Sequence, residues 1–588
     1  MVLAGPGSGK TAVITARAAL LGENVSGIMV ITYSKAAAQE MERRYKAVCA
    51  EGKTKSTVIF GTFHSVFFRM LRRKKGYDVG QILGEGERRT AIRGFLSEMQ
   101  YEPDDEMLSN ILSEMSLVRN ELYEMAYYHS KTIGSSDFLN LCKYYESFKA
   151  EKNKIDFDDM LCHAYTLLVN DSAELNYWRD KFPFIMIDEF QDINRVQYEA
   201  VKLLAAPQNN LFIVGDDDQS IYRFRGSRPE FLLNFPKDFP ETSQVTLDTN
   251  YRSTDSIINY ANNLILGNKM RYDKNIMGTG QTGPAPILLQ SEDLNHEAAQ
   301  IAEHIRKLMK RGENLDEIAV AFRLNIQARA LMDAFLNSHI PYKSRDEMPT
   351  IYEHWLAEDF FAYMRVARRL SLRQKVGYDP DAVRIINKPY RFISKAFLQG
   401  VKKSDQDIFV AYRHDPNLHM ATKNNIEDLE HDLMLLARRE TSDAIRYIRQ
   451  NMGYNGHIID TSEYRKLNPM GLFEIADELQ EAAKQFPNPM DFADHARTIA
   501  AAARENERTG PCCTLTTLHS AKGLEFERVF IVGVTEEVLP YIRSKSEAEI
   551  EEERRLFYVG VTRAKRELYL STIKTRYDKP MKPSRFLQ

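Results

Sequence analysis

The sequence is poor in the features that mark exported, disulfide-bonded and membrane-embedded proteins. It holds five cysteines in 588 residues, an odd number without CxxC spacing, which predicts neither a disulfide framework nor a zinc site. No run of about 18 uninterrupted apolar residues is present, so no membrane span is predicted. The first residues lack a basic segment followed by an apolar stretch and a small-residue cleavage site. We therefore expect a cytoplasmic protein.

The charge balance gives no simple indication of a partner. Lys and Arg number 79 against 82 Asp and Glu, so the formal net charge is −3. A near-neutral chain offers no argument from composition for nucleic-acid binding, and any such site must come from local features. The one dense basic run, RMLRRKKG at residues 69–76, is by itself more typical of a solvated helix end than of a binding site.

The pattern of apolar residues divides the chain into α/β and helical stretches. The first 70 residues alternate short apolar runs with helix-like segments, as in a parallel β-sheet. Helical periodicity replaces this rhythm from about residue 72 to 153, and the strand signals return from residue 182. A second α/β stretch begins near residue 285, becomes helical near 357 and regains strands at 512. A chain of 588 residues is also too long for one core.

We therefore predict an α/β protein with two parallel-sheet domains, each interrupted by a mainly helical insertion. The predicted boundaries are residues 1–75 and 154–252 for the first domain, 76–153 for its insertion, 253–365 and 512–588 for the second domain, and 366–511 for its insertion.

The segment AGPGSGKT at residues 4–11 fits a phosphate-binding loop, with Ala4 in the first glycine slot. Glycines let backbone N–H groups turn toward phosphates, a lysine adds a point charge, and a threonine hydroxyl can ligate Mg²⁺. A chance match in a glycine-rich turn is the alternative, and the helix-like stretch that follows argues against it. The predicted nucleotide-binding residues of the loop are Gly5, Gly7, Ser8, Gly9, Lys10 and Thr11.

Two acidic residues follow the apolar run FIMI at residues 184–187. This is typical of a buried central strand whose carboxyl end delivers side chains to a site. We predict that Asp188 holds Mg²⁺, directly or through water, and that Glu189 polarises the attacking water. Alone, such a pair is often a solvated strand end. Beside a phosphate-binding loop it indicates a nucleotide hydrolase.

Four further motifs narrow the prediction. They are VGDDDQSIYRFRG, LDTNYRS, TLHSAKGLEF and EEERRLFYVGVTRAKREL. In this order they resemble the UvrD/Rep/PcrA family of superfamily 1 DNA helicases, and the resemblance runs from the first residue to PSRF near the end. It implies two RecA-like motor domains, ATP and Mg²⁺ as cofactors, and single-stranded DNA and its junctions with duplex as partners. It also implies a monomer that can dimerise on DNA.

The resemblance assigns further nucleotide contacts by position in these motifs. Gln219 is similar to the γ-phosphate sensor that couples nucleotide state to motion. Arg252 and Arg563 resemble the two arginines that reach the γ-phosphate, Tyr251 the tyrosine that stacks on adenine, and Glu525 the glutamate that contacts the ribose. Taken singly, Arg563 has the alternative of a surface salt bridge with the acidic run at residues 551–553. The expected catalytic residues are Lys10, Glu189, Gln219, Arg252 and Arg563.

The resemblance also implies a DNA track at strand ends. Aromatic rings there can stack on unpaired bases at about 1–3 kcal/mol per base, while hydroxyls and cations hold phosphates. The predicted DNA-contacting residues are Thr32, Lys35, Thr62, Phe63, His64, Tyr222, Phe224, Arg225, Thr517, His519 and Lys522. Phe224 stands where relatives usually carry Trp, a change that keeps stacking with less ring area. A single aromatic residue at a strand end is more often part of a core, so these assignments depend on the family.

The expected function is ATP-driven 3′-to-5′ movement on single-stranded DNA, coupled to duplex unwinding in DNA repair or replication. One alternative, a helicase–nuclease subunit, is disfavoured because little sequence follows the last motif. A translocase that displaces proteins with little unwinding stays open, as does a DNA-binding protein with an impaired motor.

The third alternative arises because the glutamine-bearing segment that reads adenine in relatives does not precede the phosphate-binding loop. We expect Met1 to be an internal start. If it is the true start, stacking on Tyr251 must hold adenine, and nucleotide selectivity should be loose.

Overall fold

The computed structural model describes residues 1–22, 25–49, 57–101, 103, 105–223, 226–346, 350–465, 467–504 and 510–587. The chain folds into two compact units. Unit 1 comprises Met1–Pro286, Lys522–Glu527 and Arg543–Leu568, and unit 2 comprises Ile287–Ala521, Arg528–Ile542 and Tyr569–Gln588. Two late segments of the chain therefore fold with its first half. The four-part division made from the sequence stays a prediction.

The strands are β1 (Val2–Ala4), β2 (Gly27–Thr32), β3 (Thr57–Thr62), β4 (Phe184–Ile187), β5 (Leu211–Gly215), β6 (Val245–Leu247), β7 (Ile287–Ser291), β8 (Ile318–Phe322), β9 (Tyr342–Ser344), β10 (Cys513–Thr517), β11 (Phe526–Ile531), β12 (Ala564–Ile573), β13 (Thr575–Arg576) and β14 (Lys579–Pro580).

The helices up to the first strand of the second sheet are α1 (Lys10–Gly22), α2 (Lys35–Cys49), α3 (Phe63–Lys75), α4 (Glu85–Glu98), α5 (Asp105–Asn120), α6 (Ser135–Glu151), α7 (Phe157–Asn170), α8 (Ser172–Lys181), α9 (Arg195–Ala205), α10 (Pro229–Leu233), α11 (Phe235–Asp238) and α12 (Asp255–Ile265). The later helices are α13 (Leu294–Lys310), α14 (Ala328–Asn337), α15 (Trp355–Ser371), α16 (Pro380–Ile385), α17 (Lys395–Ser404), α18 (Ile408–His414), α19 (Met420–Leu436), α20 (Thr441–Gln450), α21 (Tyr454–Arg465), α22 (Pro469–Ala483), α23 (Pro489–Arg504) and α24 (Glu547–Val561).

Unit 1 is built on a parallel sheet. Among the described residues it has six strands in the order β3-β2-β4-β5-β1-β6. Strand β1 is only three residues long, yet it pairs in parallel with both β5 and β6, with Val2 opposite Val214 and Val245. Its side chains are buried, as expected for a strand covered on both faces. Parallel pairing brings the loops after β1, β4 and β5 to one edge of the sheet.

The helical stretch predicted after β3 forms α4, α5 and α6, which share an apolar core of their own. Ile92, Leu96, Leu108, Leu141 and Tyr145 are buried in it. Helix α7 then returns the chain to the sheet, because Leu161, Leu168 and Trp178 of α7 and α8 belong to the core under β2 and β4.

Unit 2 contains the second parallel sheet, with six strands in the order β7-β12-β11-β8-β10-β9 within the described part of the chain. Helices α15 to α23 pack as a second helical segment, and Phe360, Tyr363, Ile426, Leu433 and Tyr454 are buried among them. The predicted fold class, an α/β protein with two parallel sheets and helical interruptions, is confirmed.

The five cysteines are free thiols, three of them buried. In the described part of the chain, no helix joins the length and the apolarity needed to cross a bilayer.

Candidate nucleotide and DNA site

The loop after β1 has the backbone that phosphate binding requires. Gly7 and Gly9 have φ angles of 67° and 87°, in the left-handed region that side chains rarely adopt. A Cβ atom on Gly7 would lie 2.7 Å from Cβ of Arg252 and 2.9 Å from Oδ1 of Asn250. Glycine is therefore needed at position 7 both for conformation and for space.

Lys10 and Thr11 stand in the first turn of α1, directly behind this loop. The Lys10 ammonium donates to the carbonyl oxygens of Ala4 and Gly5 at 3.1 and 3.4 Å, and the Ser8 hydroxyl donates to Gly5 at 2.7 Å. The first N–H groups of a helix and its positive dipole end favour phosphate. The structure thus brings Gly5, Gly7, Ser8, Gly9, Lys10 and Thr11 together in the loop and first helical turn that we predicted to bind phosphate.

Asp188 lies at the carboxyl end of β4, with one oxygen bonded and one open. Its Oδ2 accepts from the Thr32 hydroxyl at 3.4 Å, whereas its buried Oδ1 has no hydrogen-bond partner among the residues that the structure describes. Burial and the charge of Glu189 raise the pKa of Asp188 to about 7, against the opposing effect of Lys10. An unpaired buried carboxylate oxygen is the hard donor that Mg²⁺ binds, so these residues fit that ion. Thr11 is the second candidate ligand.

Glu189 has a left-handed backbone, with φ 51° and ψ 43°. This conformation is strained for a residue with a side chain and is typical of functional positions. The Gln191 amide donates to the Glu189 carboxylate, and its Oε1 accepts from the Asp216 N–H at 2.9 Å. Burial acts to raise the pKa of Glu189, but Lys10 and Lys522 lower it overall. Glu189 is therefore held as an oriented carboxylate that can accept a proton.

Gln219 and Arg563 are in direct contact. The Gln219 amide donates to Oδ2 of Asp216 at 2.7 Å, and its Oε1 accepts from the Arg563 guanidinium at 3.4 Å. Arg563 is buried and also donates to the Val559 carbonyl at 2.9 Å. Burial and the nearby Arg252 lower the pKa of Arg563 to about 9, which leaves it charged at neutral pH. The site therefore holds a positive guanidinium beside the predicted sensor.

The loop after β6 is attached to the phosphate-binding loop. The Asn250 amide donates to a carbonyl of that loop at 2.7 Å, and the Tyr251 N–H donates to the Gly7 carbonyl at 3.0 Å. Tyr251 is 70% exposed, as a tyrosine that stacks on a ligand would need to be. Arg252 donates to the Glu525 carboxylate at 2.7 Å. The predicted adenine, γ-phosphate and ribose contacts thus lie around one loop.

Several predicted DNA-contacting residues of unit 1 lie at the surface of the strand ends. Lys35 is exposed, and Thr62, His64 and Tyr222 are partly exposed. The Tyr222 ring stacks on Tyr33, with centroids 5.3 Å apart and planes 5° apart. Phe224 and Arg225 lie outside the described residues.

Two of the predicted DNA-contacting residues are buried, which differs from our expectation. Phe63, the first residue of α3, packs in the core under the sheet and is 6% exposed, so its ring presents no face to a base. Thr32 is buried, and its hydroxyl is bonded to Asp188. The buried carboxylate gives this hydroxyl a partner on the nucleotide side of the strand end.

Lys522 also differs from the DNA-facing position that we expected. Its side chain is 8% exposed, and its ammonium donates to the Asp192 carboxylate and to the Gln219 carbonyl, the latter at 2.6 Å. The buried charge of Asp192 attracts it inward. The same ammonium lies 5.1 Å from the centre of the Tyr222 ring, so it stands between the sensor and an aromatic residue of the predicted DNA track.

In unit 2, Thr517 ends β10 and is held by Asp346. Its N–H and hydroxyl donate to the Asp346 carboxylate at 2.8 and 3.4 Å. Its Oγ1 also accepts from the N–H of Ser520 at 3.2 Å, and the nearby His519 is half-buried. Both predicted DNA-contacting residues of this unit therefore lie at a strand end.

Three residues that organise the site were not singled out from the sequence. Gln191 and Asn250 each stand beside a motif residue, and their side-chain amides hold neighbouring loops together. Adjacency to the motifs was a usable signal for these two. Lys274, which is ion-paired with Asp216, lies in no motif that we recognised.

Comparisons with known proteins find relatives over most of the chain. A family profile described as the UvrD/REP helicase N-terminal domain matches residues 1–240, and one described as the UvrD-like helicase C-terminal domain matches residues 245–575. ATP-dependent DNA helicase PcrA of Bacillus subtilis is 31% identical, over 98% of this chain and 81% of its own length. DNA helicase II of Haemophilus influenzae is 32% identical, over 100% of this chain and 84% of its own.

Proposed function

This chain belongs to the UvrD/Rep family of ATP-dependent DNA helicases, and from that premise we propose that it is a motor that moves 3′ to 5′ along single-stranded DNA and unwinds duplex ahead of it. The proposal includes Mg²⁺ as the ion that accompanies ATP, and junctions of single-stranded and duplex DNA as the preferred substrate. A role in DNA repair or replication belongs to the same proposal.

The nucleotide side of the proposal assigns a task to each group in the site. The loop from Gly5 to Thr11 binds the phosphates, Tyr251 stacks on the base, and Asp188 with Thr11 would hold Mg²⁺, which supplies charge neutralisation at the phosphates. Glu189 takes the proton of the attacking water. Arg252 and Arg563 stabilise the charge on the transferred group, because fixed guanidinium groups suit spread phosphoryl charge.

The observation that carries the coupling of hydrolysis to movement is the short loop after β5. Gln219 and Tyr222 are three residues apart on it, one beside Arg563 and the other at the predicted DNA surface. Lys522 is bonded to the Gln219 carbonyl and lies against the Tyr222 ring. A shift of Gln219 with nucleotide state would therefore move Tyr222. ATP and DNA would then both bias the conformation of the loop after β5.

The test compares wild type with Glu189→Gln in ATP hydrolysis, DNA binding and strand displacement. Wild type should hydrolyse ATP faster when single-stranded DNA is added. Glu189→Gln should keep binding of ATP and DNA but lose about 10²–10⁴-fold in kcat. Absence of DNA-stimulated hydrolysis in wild type would refute the proposal, and normal hydrolysis by the variant would remove Glu189 from its role.

Substrate geometry tests the finer part of the proposal. Duplexes with a 3′ single-stranded tail should be unwound, and duplexes with a 5′ tail should not. Unwinding of the 5′-tailed substrate alone would reverse the assigned direction. Removal of a bound protein from single-stranded DNA without displacement of either duplex would favour the protein-displacing translocase instead.

A further inference from the structure

A buried cluster of three carboxylates and two cations adjoins the sensor loop. Asp216, Asp217 and Asp218 follow β5 in unit 1, and all three are buried. The ammonium of Lys274, whose side chain is 1% exposed, lies 2.6 Å from Asp216 and 3.1 Å from Asp218, and it also contacts Asp217. Arg271 makes a two-pronged contact with Asp218, with both N–O distances 2.9 Å.

This cluster has the spacing of a metal site but already holds a cation. Ligand oxygens of Asp216, Asp217 and Asp218 lie within 4.8 Å of one another. The Lys274 ammonium contacts all three side chains, and an ammonium and a metal ion cannot share that position. We therefore assign no metal here and read the cluster as a fixed ion network.

Asp216 connects Lys274 to the sensor. One of its oxygens accepts from Lys274 at 2.6 Å and the other from the Gln219 amide at 2.7 Å. Its N–H donates to Gln191, whose amide holds Glu189. The ammonium thus fixes the carboxylate that orients the Gln219 side chain, and the Gln219 Oε1 is the atom that faces Arg563.

Lys274 ends a segment, residues 268–274, that we call the connector. At its other end the connector is bonded to α24, the helix that leads to Arg563. The Asn268 amide donates to the Glu551 carbonyl at 3.0 Å, the Lys269 N–H to the Glu551 carboxylate at 2.7 Å, and the Arg555 guanidinium to the Met270 carbonyl at 2.9 Å. One continuous stretch therefore joins the helix before Arg563 to the loop of Gln219.

We propose that Lys274 is a positioning residue for ATP hydrolysis, which through Asp216 holds Gln219 against Arg563, and that the connector makes the sensor loop and α24 shift together. The inference rests on the proposed function, because Gln219 and Arg563, which the connector would keep in register, are residues of that proposed reaction. The ion pairs of the Lys274 ammonium are with Asp216, Asp217 and Asp218 and not with residues 5–11, so we expect it to act on the catalytic step and not on nucleotide binding.

The first variant is Lys274→Met, assayed for DNA-stimulated hydrolysis and for binding of fluorescent ADP. We expect kcat to fall on the order of 10²-fold, the effect of a small misplacement of a reacting group, with ADP affinity unchanged. A folded variant with wild-type kcat would overturn the proposal. An equal loss in kcat and in ADP affinity would also overturn it, because that pattern indicates general disruption of the site.

A double variant separates positioning from simple charge balance. Lys274→Met leaves three buried carboxylates with one cation, a change that can unfold the unit. Asp217 contacts Lys274 and the Tyr272 N–H but not Gln219, so Asp217→Asn removes one charge without touching the sensor. We expect Lys274→Met/Asp217→Asn to recover Tm while kcat stays low. Recovery of both would make Lys274 a charge balancer only and overturn the proposal.

If Lys274→Met and Lys274→Met/Asp217→Asn both fail to fold, a charge-conserving variant tests the positioning role of Lys274. Lys274→Arg keeps the charge but cannot place a compact ammonium among three carboxylates. Lowered kcat with unchanged ADP affinity supports the proposal, and wild-type kcat refutes it. The control is Lys46→Met in α2 of the same unit, whose side chain is 71% exposed and ion-paired with Glu42 one turn earlier; it should retain wild-type kcat and Tm.

The outcome for wild type separates this inference from the proposed function. Wild type without DNA-stimulated hydrolysis would refute the function itself. Wild type with stimulation, together with unaffected Lys274 variants, would refute only the positioning role.

Discussion

The strands of the two parallel sheets are followed by residues of different chemical character. In the first sheet, β1 leads into the glycine-rich loop, β4 into Asp188 and β5 into the run from Asp216. In the second, β8 leads into Arg323 and β10 ends at Thr517. Parallel sheets gather such loops at one edge in both cases. The fold thus decides where functional side chains collect, and the residues after each strand decide which ligand they suit.

The two units also use buried charge differently. In unit 1, the buried cations Lys522, Lys274 and Arg563 surround the predicted sensor. In unit 2, Arg329 is equally buried, but it ties α14 to α22 by donating to Glu478 at 2.7 Å, and it also donates to Asp333 on its own helix at 3.1 Å. Burial opposes its charge, yet these acids raise the pKa of Arg329 above its ordinary value. The burial of a cation therefore does not by itself distinguish a functional residue from a structural one, and the contacts of that cation are needed as well.

The largest expected effect concerns Arg563, the buried cation of unit 1 for which we propose a role in ATP hydrolysis. Arg563→Ala should lower kcat of DNA-stimulated ATP hydrolysis by about 10³-fold or more, because a fixed guanidinium no longer stabilises charge on the transferred group. Steady-state kinetics checks this. The control is Arg566→Ala, three residues further, whose side chain is 55% exposed and should be dispensable. Equal kinetics of the two variants would mean that Arg563 has a structural role, as Arg329 does.

The next effect concerns Arg329, the buried cation of unit 2 that we expect to stabilise the fold. Arg329→Met should lower the free energy of unfolding by about 3–5 kcal/mol, since it leaves Asp333 and Glu478 without their cation. Urea unfolding followed by circular dichroism measures it. Lys307→Met, which breaks an exposed pair with Glu303 on α13, should cost at most about 0.5 kcal/mol. A loss of kcat in the folded Arg329 variant, with stability intact, would contradict the contrast between the units.

A smaller effect is expected at the predicted DNA surface of unit 1. Tyr222→Ala should weaken binding of single-stranded DNA by about 1–3 kcal/mol, the contribution of one stacked base. Fluorescence anisotropy with a labelled oligonucleotide measures it, and hydrolysis without DNA should be spared. Tyr127→Ala, an exposed tyrosine outside the predicted track, serves as the control. Unchanged DNA affinity of Tyr222→Ala would remove this residue from the track.

The smallest effect tests the strand end of the second sheet. Thr517→Val removes one hydroxyl and should weaken DNA binding by about 0.5–1.5 kcal/mol if that hydroxyl faces a phosphate. Thr514→Val, at a buried position on the same strand, should leave DNA affinity unchanged. The same anisotropy assay compares the two. Matching affinities of both variants and wild type would limit the role of Thr517 to its bond with Asp346.

How far the sequence predicts the site depends on where the bonding partners lie along the chain. The shape of the loop after β1 was predictable because it comes from Gly7 and Gly9 and from Lys10, all within the same short stretch of sequence. The burial of Thr32 and Lys522 was not, because their partners Asp188 and Asp192 lie 156 and 330 residues away. The ion pairs of Lys274 were likewise not predictable, because only the folded chain brings this residue to the carboxylates after β5.

The fold class was predictable for a different reason. The four-residue apolar runs before Asp188 and Gly215 are typical of buried parallel strands, and helical periodicity indicates helices without any knowledge of tertiary contacts. The division into units was less accessible, because Arg543–Leu568 folds with residues far earlier in the chain. Contacts between residues that are distant in the sequence determine to which unit such a segment belongs.

The three-residue strand β1 has a consequence for how the protein opens. Met1 and Gly5 flank it with backbone bonds to the β6 side, to Val245 at 3.0 Å and Leu247 at 3.3 Å, while β5 pairs along its other edge. A strand held on both sides cannot fray alone, so its amide protons should exchange with solvent only through subglobal or global opening. A nucleotide on the loop after β1 would then protect amides across the whole first sheet against exchange, far beyond the residues it touches.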